Sequence, residues 1–383
     1  MSRGGFKAFC VTVTGSSRGG DATSAIKSVI TPITNFLTKE DNAIGWSYDS
    51  KTPNASSYIT VGGGAGLAQF LVHSTGAKLM IAMCASSKST NPFNYNSYFN
   101  PKNGNTSIEG VMSGGLCMAM IPPGGGNFNT DKITDSSFLP QTALRIVGNG
   151  VSNSPSYYPQ CFVERSDMAR KQFIYMIVAK DDIIMVASRS VDYTDRCSFY
   201  AIGNLINCAQ DGDTNSYAAF VPHSSFGSSG LSEGDYDLYS FISTGTSDDA
   251  INPAGCGNCQ IYAADGGLLA GGSTYASSET TAKNATALVE RHVGLEKSFG
   301  SSSRRFVSFA VGMEPTTSDK SCGVVAYEGY KGVINPEIMC QIYHPGSAGL
   351  SNGTLLDDGN YMHLCNGVVI GWDPSNTYVK FWN

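Results

Sequence analysis

Residues 173–188 read "FIYMIVAKDDIIMVAS", and this stretch limits the fold more than any other. Two near-continuous apolar runs, 173–178 and 183–187, are joined through Lys180, Asp181 and Asp182. Asp is favoured in tight turns, so the segment is a hairpin. A strand that faces water on one side alternates apolar and polar residues, and neither run does. Both faces of the hairpin must therefore be covered. The rest of the chain supplies one long helix at most. Apolar residues Ile26, Val29, Ile30, Ile33 and Leu37 fall at helical spacing after Asp21, which stands in an N-cap position. They predict an amphipathic helix over about 21–39, with Pro32 kinking or interrupting it. One helix cannot cover both faces of a parallel sheet, which argues against a doubly wound fold.

Strand and turn signals continue along the chain. Strands are expected at 6–14, within 56–74, at 78–86, within 113–121 and within 142–149. In the second half they are expected within 304–313, 322–332 and 337–346. A closing hairpin over 367–383 turns at Asp373, Pro374, Ser375 and Asn376. Residues 88–110 read as a long Asn/Ser/Tyr-rich loop, and 224–300 as the most Ser/Gly-rich part. The expected fold is mainly β, with β-sandwich or barrel-like lobes and one N-terminal amphipathic helix. The expected division is 1–223, including the helix, and 224–383.

Composition narrows the function. The formal net charge is −6, and no run of Lys or Arg appears, which argues against a nucleic-acid or anionic-membrane surface. Charged residues make up 15%, against roughly 25% in average soluble proteins. So weakly charged a surface suits a chain covered by other chains, and equally a turn-rich β protein. No stretch is apolar enough to span a bilayer, and the first twenty residues lack the apolar core of a secretory signal. The eleven cysteines are irregularly spaced, and buried thiols are expected.

Motifs that could carry chemistry fail on context. "VTVTGSSRGGD" (11–21) looks like the cofactor loop of short-chain dehydrogenases, and Tyr327 and Lys331 match that family's Tyr-x-x-x-Lys pair. Asp21, however, replaces the third glycine and puts negative charge where a phosphate would sit. No strand–helix alternation follows. "GSSRG" (15–19) fits a nucleophile elbow at Ser17, but only fourteen residues precede it to build the sheet and oxyanion loop. Cys256 and Cys259 form a lone Cys-x-x-Cys without the second pair that a zinc site wants. His73, His223, His292, His344 and His363 are scattered and read as structural. Asp181–Asp182, Asp248–Asp249 and Asp357–Asp358 sit in expected turns, where Asp bonds the backbone. The four Asn-x-Ser/Thr sequons, at Asn54, Asn105, Asn284 and Asn352, are what an Asn/Ser/Thr-rich chain gives by chance. No catalytic, cofactor-binding or metal residue is assigned.

The apolar hairpin leads to an aromatic–Gly–small segment, "FYAIGNL" (199–205), an acidic turn, "QDGD" (210–213), and another strand, "SYAAFV" (216–221). Upstream, "GWSYDS" (45–50), "YITV" (58–61) and "AQFLVHSTGAKLMIAM" (68–83) place a Trp-led opening before the first sheet. This order resembles that of virion structural proteins of tailed bacteriophages, over residues 1–222 and in texture beyond them. The resemblance implies a non-enzymatic assembly subunit of the tail, baseplate, collar or fibre. Its partners would be copies of itself in a ring or trimer and other virion proteins, and its location the virion. No functional residue carries over from it. The alternative is a receptor- or carbohydrate-binding fibre or adhesin component, hinted at by the aromatic, Asn-rich residues 89–105. A more distant one is an NAD(P)-dependent oxidoreductase.

Overall fold

The computed structural model describes residues 7–13, 22–39, 44–61, 66–84, 115–132, 144–146, 173–190, 198–206, 217–220, 260–262, 268–271, 287–298, 305–313, 330–343, 351–356, 359–365 and 368–372. Every strand pairing among them is antiparallel. The elements are β1 (Lys7–Val13), α1 (Ala22–Thr38), β2 (Trp46–Tyr48), β3 (Ile59–Val61), β4 (Gly66–His73), β5 (Lys78–Cys84), β6 (Gly115–Ile121) and β7 (Leu144–Ile146). β8 (Phe173–Lys180), β9 (Ile183–Ser190), β10 (Ser198–Asn204), β11 (Tyr217–Phe220), β12 (Gln260–Tyr262) and β13 (Leu268–Gly271) follow. The last are β14 (Ala287–Ser298), β15 (Arg305–Met313), β16 (Tyr330–Val333), β17 (Met339–Tyr343), β18 (Leu355–Leu356), β19 (Tyr361–Cys365) and β20 (Val368–Gly371).

Three sheets result. The first runs β1-β8-β9-β10-β11-β12-β13, and the second β2-β4-β5-β6-β7 with β3 also on β4. The third runs β14-β15-β17-β20-β19-β18 with β16 also on β15. None closes into a barrel among the described residues. The first sheet crosses the expected 223/224 division, because β12 and β13 extend it from β11. A main-chain bridge between Ile206 and Val333 further ties the end of β10 to the end of β16.

The β8–β9 hairpin sits inside the first sheet, between β1 and β10, and is buried on both faces. Tyr175, Ile177, Ala179, Ile184 and Val186 join a core shared with α1 and the second sheet. Met176, Val178, Met185 and Ala187, which point the other way, are buried as completely. The connection is a two-residue loop, Asp181–Asp182, and Asp181 takes a φ of 52°, a left-handed value that Asp tolerates better than most residues.

The helix supplies the middle of this core. Ile26, Val29, Ile30, Ile33, Phe36 and Leu37 form its apolar stripe and are buried. It packs on β1 of the first sheet and on β2, β4 and β5 of the second, while β7 packs on β10, β11 and β12. Pro32 lies inside the helix without ending it.

One edge of the second sheet is spliced. β2 pairs with the end of β4 and β3 with its beginning, and residues 49–58 leave the sheet between them. The main chain of Phe70 faces this gap, where the Asp49 N–H donates to its carbonyl at 2.9 Å. The Thr52 hydroxyl fills the gap, donating to the Phe70 carbonyl at 2.8 Å and accepting from its N–H at 2.7 Å. Buried Gln69 reaches the same way. Its Nε2 donates to the carbonyls of Ala55 (3.1 Å) and Ser57 (3.0 Å), and its Oε1 accepts from Thr34 Oγ1 of the helix at 2.7 Å.

The two-sided burial sets an expected contrast in urea unfolding. Ile177→Ala removes a fully buried side chain and costs about 2–5 kcal/mol. Leu355→Ala, at an exposed large apolar side chain on the edge strand β18, stays within about 0.5 kcal/mol.

Candidate functional site

The buried polar groups that join different sheets meet where two hairpin ends come together. β4 and β5 are joined by a loop, Ser74–Ala77, with His73 N–H bonded to the Ala77 carbonyl at 2.8 Å and Gly76 N–H to the His73 carbonyl at 2.9 Å. Gly76 takes a φ of 94°, the left-handed position at which such loops favour glycine. His73 ends β4 with its ring turned inward. Facing it are Asp182, from the β8–β9 turn, and Tyr217, from β11. His73 is 6% exposed, Asp182 2% and Tyr217 1%.

The contacts form a chain. His73 Nε2 lies 2.7 Å from the Ile44 carbonyl oxygen, and Nδ1 lies 2.9 Å from Thr75 Oγ1. Thr75 N–H also approaches Nδ1, at 3.2 Å. Thr75 Oγ1 donates to Asp182 Oδ2 at 3.0 Å, and the Tyr217 hydroxyl donates to the same oxygen. Asp182 Oδ2 is 4.0 Å from His73 Nδ1. The Trp46 ring packs on the imidazole with centroids 4.9 Å apart.

Two glycines make room for this chain. A Cβ at Gly45, which has a φ of 92°, would lie 2.6 Å from His73 Nε2. One at Gly203, in β10, would lie 2.4 Å from the Asp182 carbonyl oxygen. A side chain at either position would push the backbone away from the residue it holds.

Electrostatics follow from burial. Desolvation pushes the Tyr217 phenol well above its usual value, and the neighbouring Asp182 carboxylate pushes it further. Tyr217 therefore stays a neutral donor over the whole ordinary pH range.

A hydroxyl, an imidazole and a carboxylate in a row invite comparison with a nucleophile–base–acid relay. In such a relay the carboxylate orients the far nitrogen of the ring. Here the main-chain carbonyl of Ile44 holds that nitrogen, and the carboxylate contacts the hydroxyl instead. No ring nitrogen is left to take a proton from a substrate. What the arrangement does is fasten the β4–β5 hairpin to the β8–β9 hairpin and to β11.

Several sequence candidates lie outside the described residues: Ser17, Asp21, His223, His344, Cys256, Cys259, Tyr327, both Asp248–Asp249 and Asp357–Asp358, the loop 88–110 and the turn at 373–376. Lys331 lies in β16. β1 and α1 do follow one another across residues 14–21, but β1 pairs antiparallel with β8. The strand arrangement of a dinucleotide-binding fold is therefore not met at β1. His73 and His363 are buried and hydrogen-bonded. Cys340 is a buried thiol outside any disulfide. Among the described residues, no group of three or more His, Cys, Asp or Glu is placed to hold a metal ion, and no helix is long and apolar enough to cross a membrane. Asp182 was legible as a turn residue, but its burial against Thr75 and Tyr217 was not. Thr75 and Tyr217 themselves carried no signal in the sequence. Comparison with protein-family models, curated proteins and solved structures finds no match.

Removing the shared hydroxyl should loosen this junction. Thr75→Val takes from Asp182 one of the two hydroxyls that donate to it and should cost about 1–3 kcal/mol in urea unfolding. Ser74→Ala, next to it and exposed, should stay within about 0.5 kcal/mol. Tyr217 gives a separate alkaline signature. Its value is raised in the folded state, so its contribution is intact below the unfolded value of about 10 and is lost as pH rises beyond it. Between about pH 9 and 11 the Tm of the native chain should fall more steeply than that of Tyr217→Phe.

Proposed function

We propose that this chain is a non-enzymatic structural subunit of a tailed-phage virion, in the tail or baseplate region, and that it assembles with copies of itself and with other virion proteins. The observation that carries the reading is the order β8–β9–β10–β11. A doubly buried apolar hairpin is followed by "SFYAIGN" and then by "YAAF", each strand the neighbour of the one before it. That is the order on which the resemblance to phage virion proteins rests.

Three further features support it. The two sheets that share a core with α1 read as a sandwich-type lobe, a shape built to present broad faces and strand edges. The buried polar side chains that join the first two sheets are spent on fastening hairpins together. A low charge density leaves wide surface that neighbouring copies can cover, and closed symmetric oligomers are the usual outcome. Strand edges would then be covered by subunits rather than blunted by Lys and Pro.

Native mass spectrometry with negative-stain imaging of the purified chain tests this. A ring, trimer or tube is expected, and its symmetry would indicate a place in the virion. A monomer that binds host-surface glycans would favour the adhesin reading. A monomer that turns over a substrate would end both.

A further inference from the structure

The turn that leads into β18 holds a reactive pair of residues, Asn352 and Gly353. They are the middle residues of a turn over 351–354, closed by the Thr354 N–H on the Ser351 carbonyl at 3.2 Å. The Thr354 hydroxyl donates to the same carbonyl at 2.6 Å. Gly353 takes a φ of 80°, and among the described non-glycine residues Asp181 alone has a positive φ, so Asn352 keeps a negative one. That combination is a type II turn. Two main-chain bonds tie the turn to β19. Gly353 N–H donates to the His363 carbonyl at 2.8 Å, and His363 N–H donates to the Thr354 carbonyl at 2.8 Å.

An asparagine followed by glycine is prone to react with itself, because glycine has no side chain to shield its main-chain nitrogen. Hydroxide takes the Gly353 amide proton, and the nitrogen forms a bond to Asn352 Cγ. The Cγ–Nδ2 bond breaks and ammonia leaves. Water then opens the five-membered ring at either carbonyl, giving aspartate or isoaspartate at 352, and nothing is oxidised or reduced. The folded turn withholds both requirements of the first step. The Gly353 N–H is engaged by His363. A type II turn also sets ψ of its second residue at about +120°, which points the following nitrogen away from that residue's own Cβ, whereas ring closure needs the two eclipsed.

We propose that Asn352–Gly353 is a self-modification site gated by the pairing of β18 with β19, with water as its only co-reactant. The gate is slight. β18 is a two-residue edge strand, and such elements open locally at low free energy. Of its two side chains, Leu356 packs on Cys340, Tyr361 and Val369, while Leu355 is 52% exposed. Leu356 is therefore the side chain that keeps the gate shut. Either product brings a new negative charge to the sheet edge. Isoaspartate also routes the main chain through the former side chain, so the lengthened turn no longer fits the bonds at Ser351 and His363. The gate thus works in one direction: an edge that has opened and reacted this way does not close as before.

The test incubates the full chain at mildly alkaline pH, folded and in guanidinium chloride. Peptide mapping follows the mass gain of amide to acid at Asn352, resolved from Asn103, Asn149 and Asn366, which also precede glycine. The folded chain should convert at least about tenfold more slowly than the unfolded one. Leu356→Ala leaves the reacting pair untouched but frees β18, and should speed conversion in the folded chain several-fold. Leu355→Ala should leave the rate unchanged. If Leu356→Ala does not fold, guanidinium below the unfolding transition should raise the native rate instead. Equal rates in the folded and unfolded chains, or in the two folded leucine variants, would overturn the gate. An unfolded chain that does not convert at Asn352 would overturn the site itself.

Discussion

Keeping water off both faces of one hairpin is the constraint that organises the described part of this molecule. β8 and β9 have apolar side chains above and below, so neither face can be left to solvent. Their edges are occupied as well, by β1 on one side and β10 on the other. The helix carries its apolar stripe into the space between β1 and the second sheet, and β7 closes on β10, β11 and β12. Each of these elements contributes a surface that would be costly if exposed alone. The hairpin gives them a common surface to cover.

A polar group buried in such a structure costs free energy unless it finds a hydrogen-bond partner. Gln69 shows how far this goes. Its amide reaches loop carbonyls on one side, and its oxygen takes the Thr34 hydroxyl on the other. Thr52 does the same for Phe70. Tyr48 continues the pattern at the helix surface, where its hydroxyl donates to Asn35 Oδ1 at 2.9 Å. These side chains do the work of main-chain ladder bonds at places where the ladder is broken.

The sequence made the elements legible and left their contacts hidden. The helix runs from Ala22 to Thr38, close to its expected 21–39, because the spacing of Ile26, Val29, Ile30, Ile33 and Leu37 is a local property. Pro32 did not interrupt it: packing along the buried stripe outweighs one missing hydrogen bond. The hairpin over 173–188 was equally readable, since two-sided burial is written in the absence of alternation. The attachment of β12 and β13 to β11 was not, because pairing between distant strands leaves no local mark. The same holds for the junction. Thr75 and Asp182 lie 107 residues apart, and only the meeting of two turns makes them neighbours. A turn signal reports that a residue bends the chain, and says nothing of what its side chain will touch.

The splice at the edge of β4 separates two properties that usually travel together, the continuity of the chain and the continuity of the sheet. The strand edge is kept whole by a borrowed hydroxyl, while the polypeptide wanders out to solvent and back. Pro53 and Asn54 stand exposed at the outer part of that detour. Extra residues placed between them would lengthen the detour without asking β2, β3 or β4 to move, because Thr52 and Gln69 anchor the detour on either side of the gap. The second sheet thus has a ready point for displaying foreign peptide, and the same point is where sequence drift in length would be absorbed at least cost to the core.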